Sequence, residues 1–555
     1  MPDHPLVPMP LVRGARGAVV APHHLATAAG LSILRAGGHA VDAAIATNAA
    51  LGVVLPSGCG IGGDAFWLIW DELTGRQTAL NGSGRAPAAA DPAALRTGGL
   101  ATLPYRGPLT VTVPGAVRSW GDAHARHGRL SPSEVLAPAI QLARDGFPAY
   151  DGFITAVEGV LPAVVEALGP GSGFERVYRP NGRPWRPGER VRLPALAATL
   201  DRLAEVGFDD FYDGEIAERQ ARGLAAVGSA ITTADLRTHT STWNEPISTT
   251  YRGVRVTTHR PNSSGIVALE LLNLLETFEP PPTSAFGTDG VEDARWIHLG
   301  IEAAKLAMAD RDRWVADPEF LDIPIDRLVS KDHARELAVR IDPARATRPP
   351  ASTLPRGGGT IYLATVDAEG NAVSLIESNY MGFGSGVVDP DTGIHYQNRG
   401  SYFSLDPDHP NVLAPGKRTL HTLLPGMLFR DGEPRPWIVT GSMGGDAQPQ
   451  IHAQVVSALV DGGVDAATAV GAPRWFVDGE EHFAPPVRVR AERRFAPSVL
   501  DALEAMGHPL TRTIPFNGLL GHAHAIELVD GGPAAPDGSL AAATDPRSAG
   551  LPAVW

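Results

Sequence analysis

Apolar residues in the stretch 24–52, HLATAAGLSILRAGGHAVDAAIATNAALG, recur at helical spacing and break at Gly37-Gly38, which predicts two buried helices. FWLIWDE, RQTALNG and LTVTVPG (66–72, 76–82 and 109–115) read as strands ending at turn residues. From about 115 to 260 the pattern is mostly helical with loops, including PALAATLDRLAEVG. SSGIVALELLNLLETF opens on two serines suited to cap a helix. A loop over about 276–295 and the helix VEDARWIHLGIEAAKLAMADRDRW follow. Residues 340–359, RIDPARATRPPASTLPRGGG, show no apolar period and read as a linker. Beyond them the texture changes to short alternating segments: TIYLATVD, AVSLIES, GIHYQN, PGMLFR and PWIVTG. Helices at QPQIHAQVVSALVDGG and APSVLDALEAMG complete the pattern of a multi-stranded sheet covered by helices, with no solenoid repeat.

A chain of 555 residues implies two to four domains or one large two-lobed unit. Its net charge of −14, without a basic arm, argues against nucleic acid or an anionic membrane as partner. The N-terminal stretch lacks a basic segment followed by a long apolar run, and no spanning segment appears. These features predict a soluble, cytoplasmic protein. The single cysteine, Cys59, permits no intrachain disulfide and reads as a small buried residue.

Several familiar chemistries find no footing. No G-x-S-x-G, H-E-x-x-H or cysteine pair is present. SGCGIGGDAF (57–66) fits no phosphate-binding fingerprint and reads as a close-packed turn. His522 and His524 share one face of a strand, a pattern that fits ordinary packing better than a metal.

Thr360 raises a sharper question. Inside a chain its hydroxyl is a poor nucleophile, whereas at a free N-terminus an α-amine of pKa about 8 sits beside it as a base. Gly357 to Gly359 would allow the tight approach of the Gly359 carbonyl that an N→O acyl shift needs. Taken alone, the same residues also fit a flexible linker running into a strand.

The wider context carries a resemblance. GGGTIYLATVDAEGNAVSLIES, GFGSGVVDPDTGIHYQN, PGKR, LLPGML, VTGSMGGDAQPQ and DPRSAG follow one another in an order that resembles the small subunit of the γ-glutamyltransferase family. HHLATAAGLSILRAGGHAVDAAIATNAALGVVLPSGCGIGGDAF resembles that family's large-subunit N-terminus. The resemblance implies an N-terminal-nucleophile hydrolase with an α+β, four-layer αββα sandwich. It implies cleavage between Gly359 and Thr360 into a large subunit, 1–359, and a small one, 360–555, which stay together. A homo-oligomer of such two-chain units is compatible with it.

By position, Thr360 corresponds to the nucleophile and Ser378 to a hydroxyl that hydrogen-bonds it. Gly444 and Gly445 correspond to the oxyanion hole. No metal or organic cofactor is implied.

Departures from the family pattern redirect the substrate. Ser83 stands where the family has an arginine, although Arg85 is two residues away. His421-Thr422 replaces a serine pair, and Tyr380, Arg399 and Tyr402 replace an amide and two acids. An ammonium without counter-charges is costly to bury, so this pocket disfavours a γ-glutamyl α-amine. QNRGSYFSLDPDHPN is similar to the acylase and amidohydrolase branch of the family, which includes glutaryl-cephalosporin acylase-like proteins and oxamate amidohydrolases. The expectation is hydrolysis of a small dicarboxylic monoamide or related acyl amide. Arg399, His421 and Thr422 are the candidate substrate contacts, with Tyr380 and Tyr402 behind them. The alternatives are a γ-glutamyl hydrolase or transpeptidase and an uncleaved, non-catalytic binding homologue.

Overall fold

The computed structural model describes residues 10–347, 359–480 and 484–555. Most of the predicted linker, 348–358, lies outside them. Two seven-stranded sheets, antiparallel throughout, form the centre. One runs Ala553–Val554, Ala18–Val20, Gly359–Val366, Ala372–Tyr380, Asp64–Asp71, Arg76–Gly82 and Thr242–Asn244. The other runs Val12–Gly14, Ser539–Ala543, His522–Val529, Ile438–Met443, Pro425–Phe429, Val254–Thr258 and Ile247–Tyr251.

The period of two along each strand sorts side chains between layers. In Asp64–Asp71, Phe66, Leu68 and Trp70 face the second sheet, where they pack with Met427, Phe429, Val439 and Ile526. Trp67 and Ile69 face the opposite way, into a core shared with the helices His24–Arg35, Ala40–Val54 and Pro132–Asp145. A third core lies under the helices Gly265–Glu276, Ala294–Trp314 and Gln448–Val460, against the far face of the second sheet. Helix, sheet, sheet, helix is thus the layer order. Both central sheets are covered on both faces, which explains near-continuous apolar strands such as FWLIW.

The two predicted N-terminal helices form with their break at Gly37-Gly38. The second begins with a capping box in which the His39 ring accepts from Val41 N and Asp42 accepts from His39 N. Three expectations need correction. Residues 109–115 are not a strand: after the turn Pro108–Thr110 the chain runs extended, with Val113 N donating to Arg85 O. Residues 393–398 likewise form isolated bridges, Gly62 with Tyr396 and Val388 with His395. In both, alternation reflects half-buried extended chain whose partners are loops rather than a ladder. The serines before Gly265 divide their roles: Ser263 Oγ accepts from Gly265 N, while Ser264 Oγ donates to His421 O at 2.7 Å. Among the described residues no helix is long and apolar enough to cross a membrane.

Candidate active site

The strand register is irregular between Gly359 and Ile361, and the Thr360 hydroxyl points to the Ser378 hydroxyl, on the face that Tyr362, Ala364 and Val366 present to the second sheet. At one end of the sandwich Trp70 packs on Phe429, with ring centroids 5.8 Å apart. Toward the other end, the Tyr362 ring lies so close to Gly441 that a Cβ there would collide with it. Thr360, at the start of its strand, and Gly444, just past the strand Ile438–Met443, therefore share that second end.

Ser378 lies beside Thr360 on the adjacent strand, on the same face. Its hydroxyl accepts from Thr360 Oγ1 at 3.0 Å and donates to the Gly359 carbonyl at 2.7 Å. One side chain thus touches both the Thr360 hydroxyl and the carbonyl of the Gly359–Thr360 peptide. Tyr380 N also donates to Ser378 Oγ, at 2.7 Å. Tyr380 achieves this with a φ of 73°, a left-handed conformation rare for an aromatic residue and a mark of local constraint.

That turn sets the Tyr380 ring against Arg399, whose guanidinium carbon lies 4.5 Å from the ring centroid and 5.7 Å from that of Tyr402. Arg399 is fully buried in the turn Arg399–Tyr402, and its Nη2 reaches Ser378 Oγ at 3.3 Å. Its Nε and Nη1 have no hydrogen-bond partner among the described residues. Burial lowers the pKa of this cation, while Tyr380, Asp64, Tyr402 and Asp446 oppose the shift. The Tyr380 and Thr422 hydroxyl oxygens are likewise buried and unpartnered.

Tyr402 donates its hydroxyl to Asp446 at 2.6 Å, and Arg311 pairs with the same carboxylate. Asp446 follows Gly444 and Gly445, whose φ values of 150° and 56° open the turn before the helix Gln448–Val460. The helix N-terminus adds positive potential where those backbone N–H groups lie.

His421 is tied to a residue that sequence reasoning missed. Its Nε2 lies 3.0 Å from Asp64 Oδ2, with both side chains wholly buried. Asp64 Oδ1 accepts from Gly84 N at 2.8 Å and Gly115 N at 3.1 Å. Burial pushes Asp64 up to about 7 and holds His421 well below the usual imidazole range, helped there by Arg399 and Arg418. The only sequence signal for Asp64 was an acid directly after two glycines and before an apolar strand. Arg85 is committed elsewhere, to Glu319 and Gly416 O, and Ser83 Oγ donates to Asn81.

The other motifs pack as read. Cys59 is buried and its thiol is pushed up by burial. The glycine-rich turn is fastened by Glu377, which accepts from Gly60 N at 2.8 Å. The His524 ring stacks on Tyr362 and accepts from Asp545 N.

Two facing antiparallel sheets between helical layers, with a threonine at a strand start and a hydroxyl spanning it and the preceding carbonyl, make the αββα sandwich of the N-terminal-nucleophile hydrolases. The family model described as Gamma-glutamyltranspeptidase matches residues 26–555, and the chain belongs to that family, as an enzyme of it. It is 39% identical over 550 residues to the oxamate amidohydrolase proenzyme of Klebsiella pneumoniae, covering 97% of this chain and 98% of that protein. It is 38% identical over 543 residues to the glutathione hydrolase-like YwrD proenzyme of Bacillus subtilis, with 97% and 98% covered. Among solved structures it is similar to a cephalosporin acylase from Bacillus halodurans, with a TM-score of 0.89 and 38% identity. That match covers 100% of this chain and 99% of the other.

Proposed function

We propose that the chain cuts itself between Gly359 and Thr360, and that the freed Thr360 hydrolyses the amide of a small dicarboxylic monoamide or related acyl amide. The observation that carries the substrate class is Arg399: a buried guanidinium with two unused nitrogens, next to the Ser378 hydroxyl that Thr360 contacts. Such a group is costly to bury alone and fits a planar carboxylate. The description of one relative as an oxamate amidohydrolase proenzyme supports this reading, that of another as a glutathione hydrolase-like proenzyme keeps the γ-glutamyl alternative in the test, and the proenzyme descriptions agree with self-cutting.

In the cut, Thr360 Oγ1 attacks the Gly359 carbonyl carbon while Ser378 donates to its oxygen. The C–N bond breaks as the nitrogen takes the hydroxyl proton, and water hydrolyses the resulting ester. In turnover the new α-amine takes the proton from Thr360 Oγ1 as it attacks the substrate amide. The Gly444 and Gly445 N–H groups stabilise the oxyanion. The leaving amine departs with the proton, and water releases the acid from the acyl-threonine. Arg399 holds the distal carboxylate, with the Tyr380 and Thr422 hydroxyls and the His421 ring around it.

The test compares ammonia or amine release from a panel of dicarboxylic monoamides with release from a γ-glutamyl anilide. The monoamides should react with the higher kcat/KM, in a protein whose small chain begins Thr-Ile-Tyr. Equal or better turnover of the anilide refutes the substrate class. Turnover by Thr360→Ala, or the absence of that N-terminus, refutes the mechanism.

A further inference from the structure

The helix Gly265–Glu276 is apolar along most of its length, yet Glu270 sits in its middle and is 1% exposed. Its Oε1 is buried and meets no N–H donor within hydrogen-bond distance among the described residues. Burial, the charge of Asp310 and a side-chain hydrogen bond with Asp310 push its carboxyl well above the usual range. An uncompensated carboxylate at such a place is costly unless a proton or a cation joins it.

Two neighbouring helices bring suitable company. His333, from Lys331–Ala338, places Nε2 2.7 Å from Asp310 Oδ2 and 3.8 Å from Glu270 Oε1. One ligand atom from each of the three residues lies within 4.8 Å of the others. Donors held tetrahedrally at about 2.0–2.2 Å from one ion are about 3.3–3.6 Å apart, so the 3.8 Å and 2.7 Å separations would shift by under an ångström to close on one. His333 Nδ1 has no hydrogen-bond partner among the described residues, and the Glu336 carboxylate stands 3.9 Å from it. Asp310 keeps 18% of its side chain exposed, which leaves an entry path from solvent.

A second cluster, His298, Glu302 and His508, provides the contrast. There Glu302 is already spent on Lys305 and on Thr347, and the two rings bond each other at 2.7 Å. Its carboxylate is met by an ammonium and a hydroxyl, whereas Glu270 Oε1 meets no N–H donor within hydrogen-bond distance among the described residues.

We propose that Glu270, Asp310 and His333 form a binding site for one divalent transition-metal ion of the zinc type. Two carboxylate oxygens and one imidazole nitrogen are the donor set such ions accept, with water in the remaining position. On binding, three helices of the outer layer are joined through one ion. The site departs from the sequence reading, which found no metal motif because its ligands come from three separate helices. It is independent of the proposed hydrolysis.

The experiment is calorimetric titration of the chelator-treated full-length protein with zinc ion, paired with thermal unfolding. One equivalent should bind saturably and raise the unfolding temperature. Glu270→Gln and His333→Gln should each weaken binding at least about tenfold and abolish the thermal shift. Asp310→Asn, at the partly exposed ligand, gives the same reading should a buried substitution fail to fold. No saturable binding overturns the proposal, as does binding untouched by these variants or lost only with His298→Gln or His508→Gln.

Discussion

Replacing Arg399 by methionine separates the cost of a poised binding group from its use. In the unliganded protein the guanidinium is buried with Nε and Nη1 unpaired, offset by its place over the Tyr380 and Tyr402 rings. Stacking on two rings returns about 1–2 kcal/mol each, less than the several kcal/mol a desolvated cation costs. Methionine keeps much of the stem volume, so Arg399→Met should stabilise the resting protein by about 1–3 kcal/mol. Catalysis should move the other way. Two charge-assisted hydrogen bonds to a substrate carboxylate, at about 1.5–3 kcal/mol each, amount to about 3–6 kcal/mol. At about 1.4 kcal/mol per decade, kcat/KM for a dicarboxylic monoamide should fall about 10²- to 10⁴-fold. A matched amide without the distal carboxylate should lose far less. The assay measures steady-state amine release with both substrates on fully cut protein, alongside the thermal midpoint. The reasoning is refuted if kcat/KM for the monoamide stays within about threefold, or if both substrates fall equally and the midpoint drops.

Ser378→Ala removes the donor to the Gly359 carbonyl and should slow self-cutting by about 10²- to 10³-fold, followed as loss of the intact band on a denaturing gel. Ser378→Thr should restore most of the rate, and unslowed cutting by the alanine variant would count against the assigned role. For Asp64, raised from 3.8 to about 7, the folded protein retains a proton between about pH 4 and 7 that the unfolded chain has lost. Its contribution to stability is therefore present below pH 4 and declines as pH rises to about 7. Asp64→Asn has no such proton, so its stability should change less with pH across that window. Unfolding midpoints of both proteins in a Thr360→Ala background, from pH 4 to 8, check this, and equal slopes refute it.

Legibility followed the range of the interactions. Helices such as His24–Arg35 and Gly265–Glu276 announced themselves because apolar spacing and the residues that break it are local. So did Ala372–Tyr380, though not which layer each of its faces meets. Residues 109–115 misled because an extended chain lodged between loops alternates just as a strand does. The strands of 242–258 were hidden within a stretch whose overall pattern is helical. At the site, Thr360 and Ser378 belong to neighbouring strands and could be paired through the family resemblance. Asp64 and His421 are 357 positions apart, and their meeting depends on how the sheets stack. The unused nitrogens of Arg399 could be seen only once everything around it had been placed.

The sheet that holds Thr360 draws Ala18–Val20, Asp64–Asp71, Arg76–Gly82 and Thr242–Asn244 from one side of the proposed scission, and Gly359–Val366, Ala372–Tyr380 and Ala553–Val554 mainly from the other. Gly359–Val366 lies between Ala18–Val20 and Ala372–Tyr380, and Ala372–Tyr380 lies against Asp64–Asp71, so the products are interleaved like shuffled cards. Scission then turns folding into a one-way passage: an intact chain brings its ends together within one molecule, whereas separated pieces must find each other in solution. Once heat has pulled the mature protein apart, its persistence rests on the barrier to opening rather than on any readiness to reassemble.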